Sequence, residues 1–193
     1  RLDDYYQDAP GQWDRIWLTP GSLNNTIDYA IIKDATVGVQ SDTLGLSTNP
    51  TLILSNSIID NASSIGIYGN GSHVEGYNNL ISNCGEYAVV LNIGGTYDFK
   101  HCTFANYYSY FSRSTPTLLI NNFYEDVNGN TQGRDLYKAN FTNCIISGNI
   151  NAEVSLVKSQ QADFNYLFDH CLLKLHPDSS ISNLNQVNST KII

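Results

Sequence analysis

The chain has 193 residues, of which 41% are hydrophobic and only 15% are charged, and its formal net charge at pH 7 is −8. Methionine is absent whereas tyrosine occurs 13 times, a composition that argues against a helix-rich protein and favours strands. The acidic charge disfavours a nucleic-acid or anionic-membrane partner, because such binders need a basic face. No apolar run approaches the roughly 18 residues of a membrane helix.

The first part of the chain leads into a repeat. Residues 1–12 are polar and contain a Pro-Gly pair, so we expect a loop, and Trp13 to Leu18 predicts a strand that ends in a turn at 19–22. The reference unit is TLILSNSIIDN at 51–61, which runs from alternating apolar residues through a polar corner to an apolar anchor. The anchors are spaced 27, 22, 23, 42 and 27 residues apart: Ile32, Ile59, Ile81, Phe104, Ile146 and Leu173.

Aligning the units on these anchors gives columns with constant character. Positions five and seven before the anchor are largely apolar and their neighbours largely polar, the alternation of a half-buried strand. Three before the anchor comes a corner, where asparagine tolerates left-handed backbone angles and can hydrogen-bond from unit to unit: Tyr29, Asn56, Asn78, His101, Asn143 and His170. Two before it stands a mostly small residue: Ala30, Ser57, Asn79, Cys102, Cys144 and Cys171.

A period of 22–27 residues with short strands indicates coils that stack and bury one shared core. A further strand per coil is predicted at 36–40, 65–68, 87–93 and 153–157. The 42-residue interval between the anchors Phe104 and Ile146 holds either two coils or one. We favour one coil, with a strand at 117–123 and a projecting loop at 125–135.

The stretch LSNSIIDNASSIGI at 54–67 resembles right-handed parallel β-helix proteins of the pectin-lyase-like superfamily, and the resemblance covers roughly 13–175. WDRIWLTPGSLNNTIDYAIIKDA and CTFANYYSYFSRSTPTLL are similar to uncharacterised secreted β-helix proteins of Bacteroidetes. The resemblance implies an all-β, right-handed parallel β-helix solenoid of about seven coils, one with a long loop insertion. We expect a single domain over 1–193, in which the segment 176–193 is irregular or forms a partial coil. We also expect the protein to be secreted or surface-exposed, and the sequence to be a piece of a longer chain. No lyase signature matches, so no catalytic residue carries over.

The outward face of the first strand in each unit holds the main candidate site. Glu75 and Asp98 share a column on successive coils, which predicts carboxylates about 5 Å apart. Paired carboxylates could hold Ca²⁺ or share acid–base chemistry, and Lys100 could act as a base or bind a uronate. The same residues could equally form a solvated acidic face. The neighbouring column adds three candidate binding residues: Tyr77, Asp28 and Asp169.

The cysteines offer several interpretations. Cys102, Cys144 and Cys171 share an inward column, so they are interpreted mainly as reduced thiols that behave as small apolar groups, with one disulfide as the alternative. Zinc is disfavoured because no CxxC pair is present, and no resident metal or cofactor is predicted apart from the possible Ca²⁺. Cys84 is expected in a turn as a free thiol. His101 and His170, in the corner column, are interpreted as hydrogen-bonding residues.

One outward column is apolar, which marks either an interface or a surface covered by the 125–135 loop: Ile31, Ile58, Leu80, Thr103, Ile145 and Leu172. Taken together, the sequence predicts a structural or glycan- or protein-binding module without catalysis. The alternative is a polysaccharide lyase or glycoside hydrolase that acts on the Glu75 and Asp98 face. A flat face without loop walls would disfavour the enzyme.

Overall fold

The structure is a computed structural model that describes residue 6 and residues 8–42, 48–176, 187–188 and 191–193. These residues form strands and turns and contain no helix. Most strands belong to three long parallel sheets of six, seven and seven strands, which confirms the all-β class and is consistent with a parallel β-solenoid. Over the described ranges no helix is long and apolar enough to cross a membrane.

Each sheet takes one strand from each successive repeat. Sheet A contains β1 (Trp13–Leu18), β4 (Ala35–Ser41), β7 (Ile65–Asn70), β10 (Tyr87–Asn92), β13 (Leu118–Asn121) and β18 (Val154–Val157). Sheet B contains β2 (Asn25–Asp28), β5 (Leu52–Ser55), β8 (His73–Tyr77), β11 (Gly95–Lys100), β16 (Leu136–Thr142), β19 (Phe164–Asp169) and β21 (Val187–Asn188). Sheet C contains β3 (Ile31–Lys33), β6 (Ile58–Asp60), β9 (Leu80–Ser82), β12 (Thr103–Asn106), β17 (Ile145–Gly148), β20 (Leu172–Leu173) and β22 (Lys191–Ile192).

The strand register reproduces the columns predicted from the sequence. In sheet B, Phe99 pairs with Gly76 on one side and Phe141 on the other. In sheet C, the anchor Ile59 lies between the anchors of the neighbouring repeats, Ile32 and Ile81. The predicted further strands are β4, β7, β10 and β18 of sheet A. Most of the segment 1–7 and of the tail after residue 176 lies outside the described residues.

The corner between sheets B and C has the backbone conformation that its asparagines predict. All six corner residues have positive φ angles, between 49° and 55°. Asn78 Nδ2 donates to Asn56 Oδ1 over 3.0 Å, and Asn56 Nδ2 donates in turn to Asp28 Oδ1 over 2.8 Å. The predicted unit-to-unit amide hydrogen bonds are therefore present. His101 and His170 adopt the same left-handed conformation as the asparagines they replace.

Aromatic rings fill the middle of the core. Phe141 stacks between Phe99 and Phe168, with ring centroids 5.5 and 5.1 Å away, and it meets Phe104 edge-on. All four side chains are completely buried. Gly76 belongs to the same column as Phe99, Phe141 and Phe168, and its lack of a side chain makes room for the stack. A Cβ at this position would clash with the Phe99 ring.

The segment 125–135 is not the simple projecting loop that we predicted. β14 (Phe123–Glu125) and β15 (Thr131–Gly133) pair antiparallel and form a hairpin between β13 and β16. The Asp126 carboxylate organises its tip by accepting the backbone N–H groups of Asn130 and Asn128 over 3.0 and 2.9 Å. These hydrogen bonds hold the pKa of Asp126 below its usual range.

A buried ion pair anchors the long connection between β12 and β13. The Arg113 and Glu153 side chains are completely buried, and Arg113 Nη2 lies 2.8 Å from Glu153 Oε1. Glu153 also accepts the backbone N–H groups of Thr117 and Ile150 over 2.9 and 2.8 Å. Because Arg113 also donates to the Asn106 carbonyl over 2.9 Å, the pair ties this connection to sheet C.

Candidate functional site

The predicted site lies on the outer face of sheet B. Glu75 in β8 pairs with Asp98 in β11, and Tyr77 pairs with Lys100 in the next outward column, as the sequence predicts. These four residues line an open cavity of about 220 Å³, with Ile53 contributing an apolar wall. The structure therefore brings the three candidate catalytic residues and one candidate binding residue together.

Two lysines share the carboxylate of Asp98. Lys138 Nζ lies 2.5 Å from Asp98 Oδ2, and Lys100 Nζ lies 3.6 Å from the same oxygen. The second oxygen, Asp98 Oδ1, is buried and makes no hydrogen bond with the described residues. Lys138 escaped the sequence analysis because it lies eight positions before its anchor, one position before the first column considered, where it pairs with Thr96.

Glu75 and Tyr77 are more open to solvent than Asp98. The Glu75 side chain is 49% exposed, and its Oε1 lies 3.4 Å from His73 Nε2. Tyr77 is half-exposed, and its ring packs edge-on against His101 with a centroid distance of 5.5 Å. The cavity thus combines an exposed aromatic ring with two carboxylates and the Lys100 ammonium group, and Lys138 pairs with one of the carboxylates, Asp98.

Ca²⁺ at Glu75 and Asp98 stays a prediction, and the contacts of Asp98 do not favour it. Calcium takes six to eight oxygen ligands, whereas here Lys138 and Lys100 approach the Asp98 carboxylate. Across the part of the chain that the structure describes, no group of three or more His, Cys, Asp or Glu side chains could hold a metal ion.

The other two candidate binding residues lie apart from this cavity. Asp28 is two strands away from β8, where its Oδ1 accepts from Ser55 Oγ over 2.7 Å as well as from Asn56. The hydrogen bonds from Asn56 and Ser55 hold the pKa of Asp28 below its usual range. Asp169 is two strands from β11, and its Oδ1 lies 2.8 Å from His170 Nδ1.

The four cysteines are free and buried, which agrees with the main interpretation for Cys102, Cys144 and Cys171, whereas for Cys84 a free thiol but not its burial was predicted. The thiols of Cys102, Cys144 and Cys171 donate to backbone carbonyls over 3.3–3.5 Å. Cys84 is completely buried, and burial raises the pKa of its thiol to about 12.

Labelling with a thiol reagent near pH 8 tests this arrangement. We expect the native chain to resist labelling, because the thiols are buried and the reactive species is the thiolate. After unfolding without reductant, all four thiols should react. Recovery of only two thiols from the unfolded chain would show a disulfide and contradict the structure.

The predicted apolar stripe faces outward on sheet C. Ile31 is 70% exposed, and Ile58 and Ile145 are 37% and 42% exposed. The 123–133 hairpin does not cover it, because that hairpin lies between sheets A and B, where the Gly133 N–H donates to Gln161 Oε1. The loop at 125–135, which we considered as a possible cover for this stripe, therefore does not cover it.

Comparison with protein-family models, with curated proteins and with solved structures finds no match. Function is therefore inferred from the residues and their geometry.

Proposed function

We propose that this chain is a secreted or surface-exposed binding module without catalytic activity, and that the outer face of sheet B contacts a polysaccharide. The observation that carries the proposal is the half-exposed Tyr77 ring beside the cavity that Glu75, Asp98 and Lys100 line. An exposed aromatic ring can stack on the C–H face of a pyranose, and charged groups beside it can hydrogen-bond the sugar hydroxyls.

The pairing inside the cavity favours binding over catalysis. A general acid or base must be free to exchange a proton with the substrate, whereas Asp98 Oδ2 is already held by two ammonium groups. Fixed, mutually paired charges are suited to holding hydroxyl groups in place. The cavity is also open to solvent, which suits contact with a long polymer.

We extend this proposal to the finer features of the fold. The parallel register and the left-handed corners support a right-handed β-helix of about seven coils, similar to pectin-lyase-like proteins. In this arrangement the hairpin of β14 and β15 is the long insertion of a single coil. A solenoid of this kind presents several long faces, so a structural role or a protein partner on the sheet C stripe fits the same molecule.

Retention on insoluble polysaccharides tests the binding proposal. Tyr77→Ala should weaken binding about tenfold, the equivalent of about 1.4 kcal/mol, because the stacking ring is lost. Lys158→Ala, an exposed lysine beyond β18, serves as the control and should bind like the unaltered chain. Equal retention of Tyr77→Ala and Lys158→Ala would overturn the assignment of this face.

The second candidate is a polysaccharide lyase or glycoside hydrolase that acts at the same face. It is favoured by the close approach of an amine and a carboxylate, Lys138 and Asp98, within the reach of one sugar ring. If a bound uronate displaced this contact, the released lysine could serve as a base. Activity that disappears in Asp98→Asn would establish this candidate.

A further inference from the structure

A second cavity, of about 320 Å³, shares no lining residue with the cavity on sheet B. It lies at the ends of the first sheet C strands, beneath the connection that follows β12. We call it the tyrosine groove, and its principal lining residues are Asp8, Lys33, Asp60, Asn83, Tyr108 and Tyr110. Its volume falls at the lower end of the range of about 300–1,000 Å³ for small-molecule sites, enough for one sugar ring with water.

One wall of the tyrosine groove carries polar groups with fixed orientations. Asp60 Oδ1 accepts from Ser82 Oγ over 2.7 Å and from Asn83 Nδ2 over 2.9 Å. Both of these hydrogen bonds go to Oδ1, which leaves Asp60 Oδ2 to face a ligand. Lys33 Nζ lies 2.7 Å from Asp8 Oδ1, which neutralises one of the two carboxylates.

The opposite wall is aromatic and is also held in place. Tyr110 is 58% exposed, and its hydroxyl donates to the Asp8 carbonyl over 2.6 Å. Its ring packs on Tyr108, which is buried and packs in turn on Phe111 with a centroid distance of 4.8 Å. Arg113 anchors the same connection through its buried ion pair, which restrains the segment that carries these rings.

We propose that the tyrosine groove binds one neutral pyranose unit. The Tyr110 ring stacks on the C–H face of the sugar, and Asp60 and Asn83 hydrogen-bond to adjacent hydroxyl groups. An anionic sugar is disfavoured, because Lys33 is already paired with Asp8. The negative charge of Asp60 would then repel the anion. A metal ion is disfavoured by the absence of a three-ligand group among the described residues. This site lies beyond the proposed function, because it shares no residue with the sheet B face.

Saturation-transfer difference NMR with single sugars tests the proposal. The probes are glucose, galactose, mannose and N-acetylglucosamine, with glucuronate as the anionic comparison. We expect at least one neutral sugar to receive saturation from the chain and glucuronate to receive little. Tyr110→Ala and Asp60→Asn should each weaken binding at least tenfold, while Tyr110→Phe, which keeps the ring, should retain it.

Tyr77→Ala separates this proposal from the one made for sheet B. It should weaken retention on polysaccharide but leave in place the part of the single-sugar signal that Tyr110→Ala removes. The proposal is overturned if no neutral sugar gives a signal, if glucuronate binds more tightly, or if Tyr77→Ala rather than Tyr110→Ala removes the signal. Melting temperatures of all variants within a few degrees of the unaltered chain show that lost binding is local.

Discussion

Glu153→Gln is expected to lower the free energy of unfolding by about 3–5 kcal/mol, because removal of one partner leaves a buried charge uncompensated. The Arg113 guanidinium is completely buried, and both carboxylate oxygens of Glu153 lie within 2.9 Å of its Nη2. The glutamine keeps the size of the side chain but loses its charge. The shift in the midpoint of equilibrium urea unfolding measures the effect.

A matched exposed residue controls this measurement. Glu125→Gln makes the same chemical change at an exposed position in β14 and should leave the unfolding midpoint unchanged. A double replacement, Arg113→Met with Glu153→Gln, should be less destabilising than the sum of the single changes, since no unpaired charge remains. Equal midpoints for Glu153→Gln and Glu125→Gln would show that the buried pair does not stabilise this connection.

Phe141→Ala is expected to destabilise the chain by about 3–5 kcal/mol, because it opens a large cavity at the centre of the aromatic stack. The Phe141 ring contacts Phe99, Phe104 and Phe168, so the change removes packing from neighbouring strands at once. The same unfolding midpoint measures it.

Tyr137→Ala is the control on the same strand, β16. The Tyr137 side chain is 46% exposed, so its removal leaves no internal cavity. We expect a midpoint close to that of the unaltered chain. If Phe141→Ala unfolds at the same urea concentration as Tyr137→Ala, the stacked phenylalanines are not the main support of the core.

The repeat made the register predictable from sequence. Each unit must place its apolar residues inward and match its neighbour, so alignment on the anchors is also alignment of hydrogen-bonded strands. The pairing of Glu75 with Asp98 and the burial of Cys102 and Cys144 follow from that alignment. The left-handed corners follow from the local preference of asparagine.

Features formed by segments outside the repeat were not predictable in this way. Arg113 lies in a connection without periodicity, and its partner Glu153 is 40 residues away, so no column joins them. The tyrosine groove brings Asp8 against Tyr110 across 102 residues of sequence. Lys138 lies one position before the columns that the alignment covered, next to a shift in register between β16 and β19.

The hairpin at 123–133 has a signal in the sequence that the search for periodic apolar residues does not detect. The segment DVNGN at 126–130 combines an aspartate with an Asn-Gly pair, a composition typical of a turn between two short strands. The flanking strands are only three residues long and lack apolar alternation. A search for apolar alternation therefore missed them.

The most direct test of a binding module without catalysis is one incubation of the purified chain with a panel of polysaccharides, with and without Ca²⁺. Retention of the chain and the length of the polymer are measured in the same samples. We predict that the chain is retained by at least one polysaccharide and that no polymer is shortened. Shortened chains or unsaturated products that appear with the unaltered chain and disappear with Asp98→Asn would contradict this prediction and establish an enzyme.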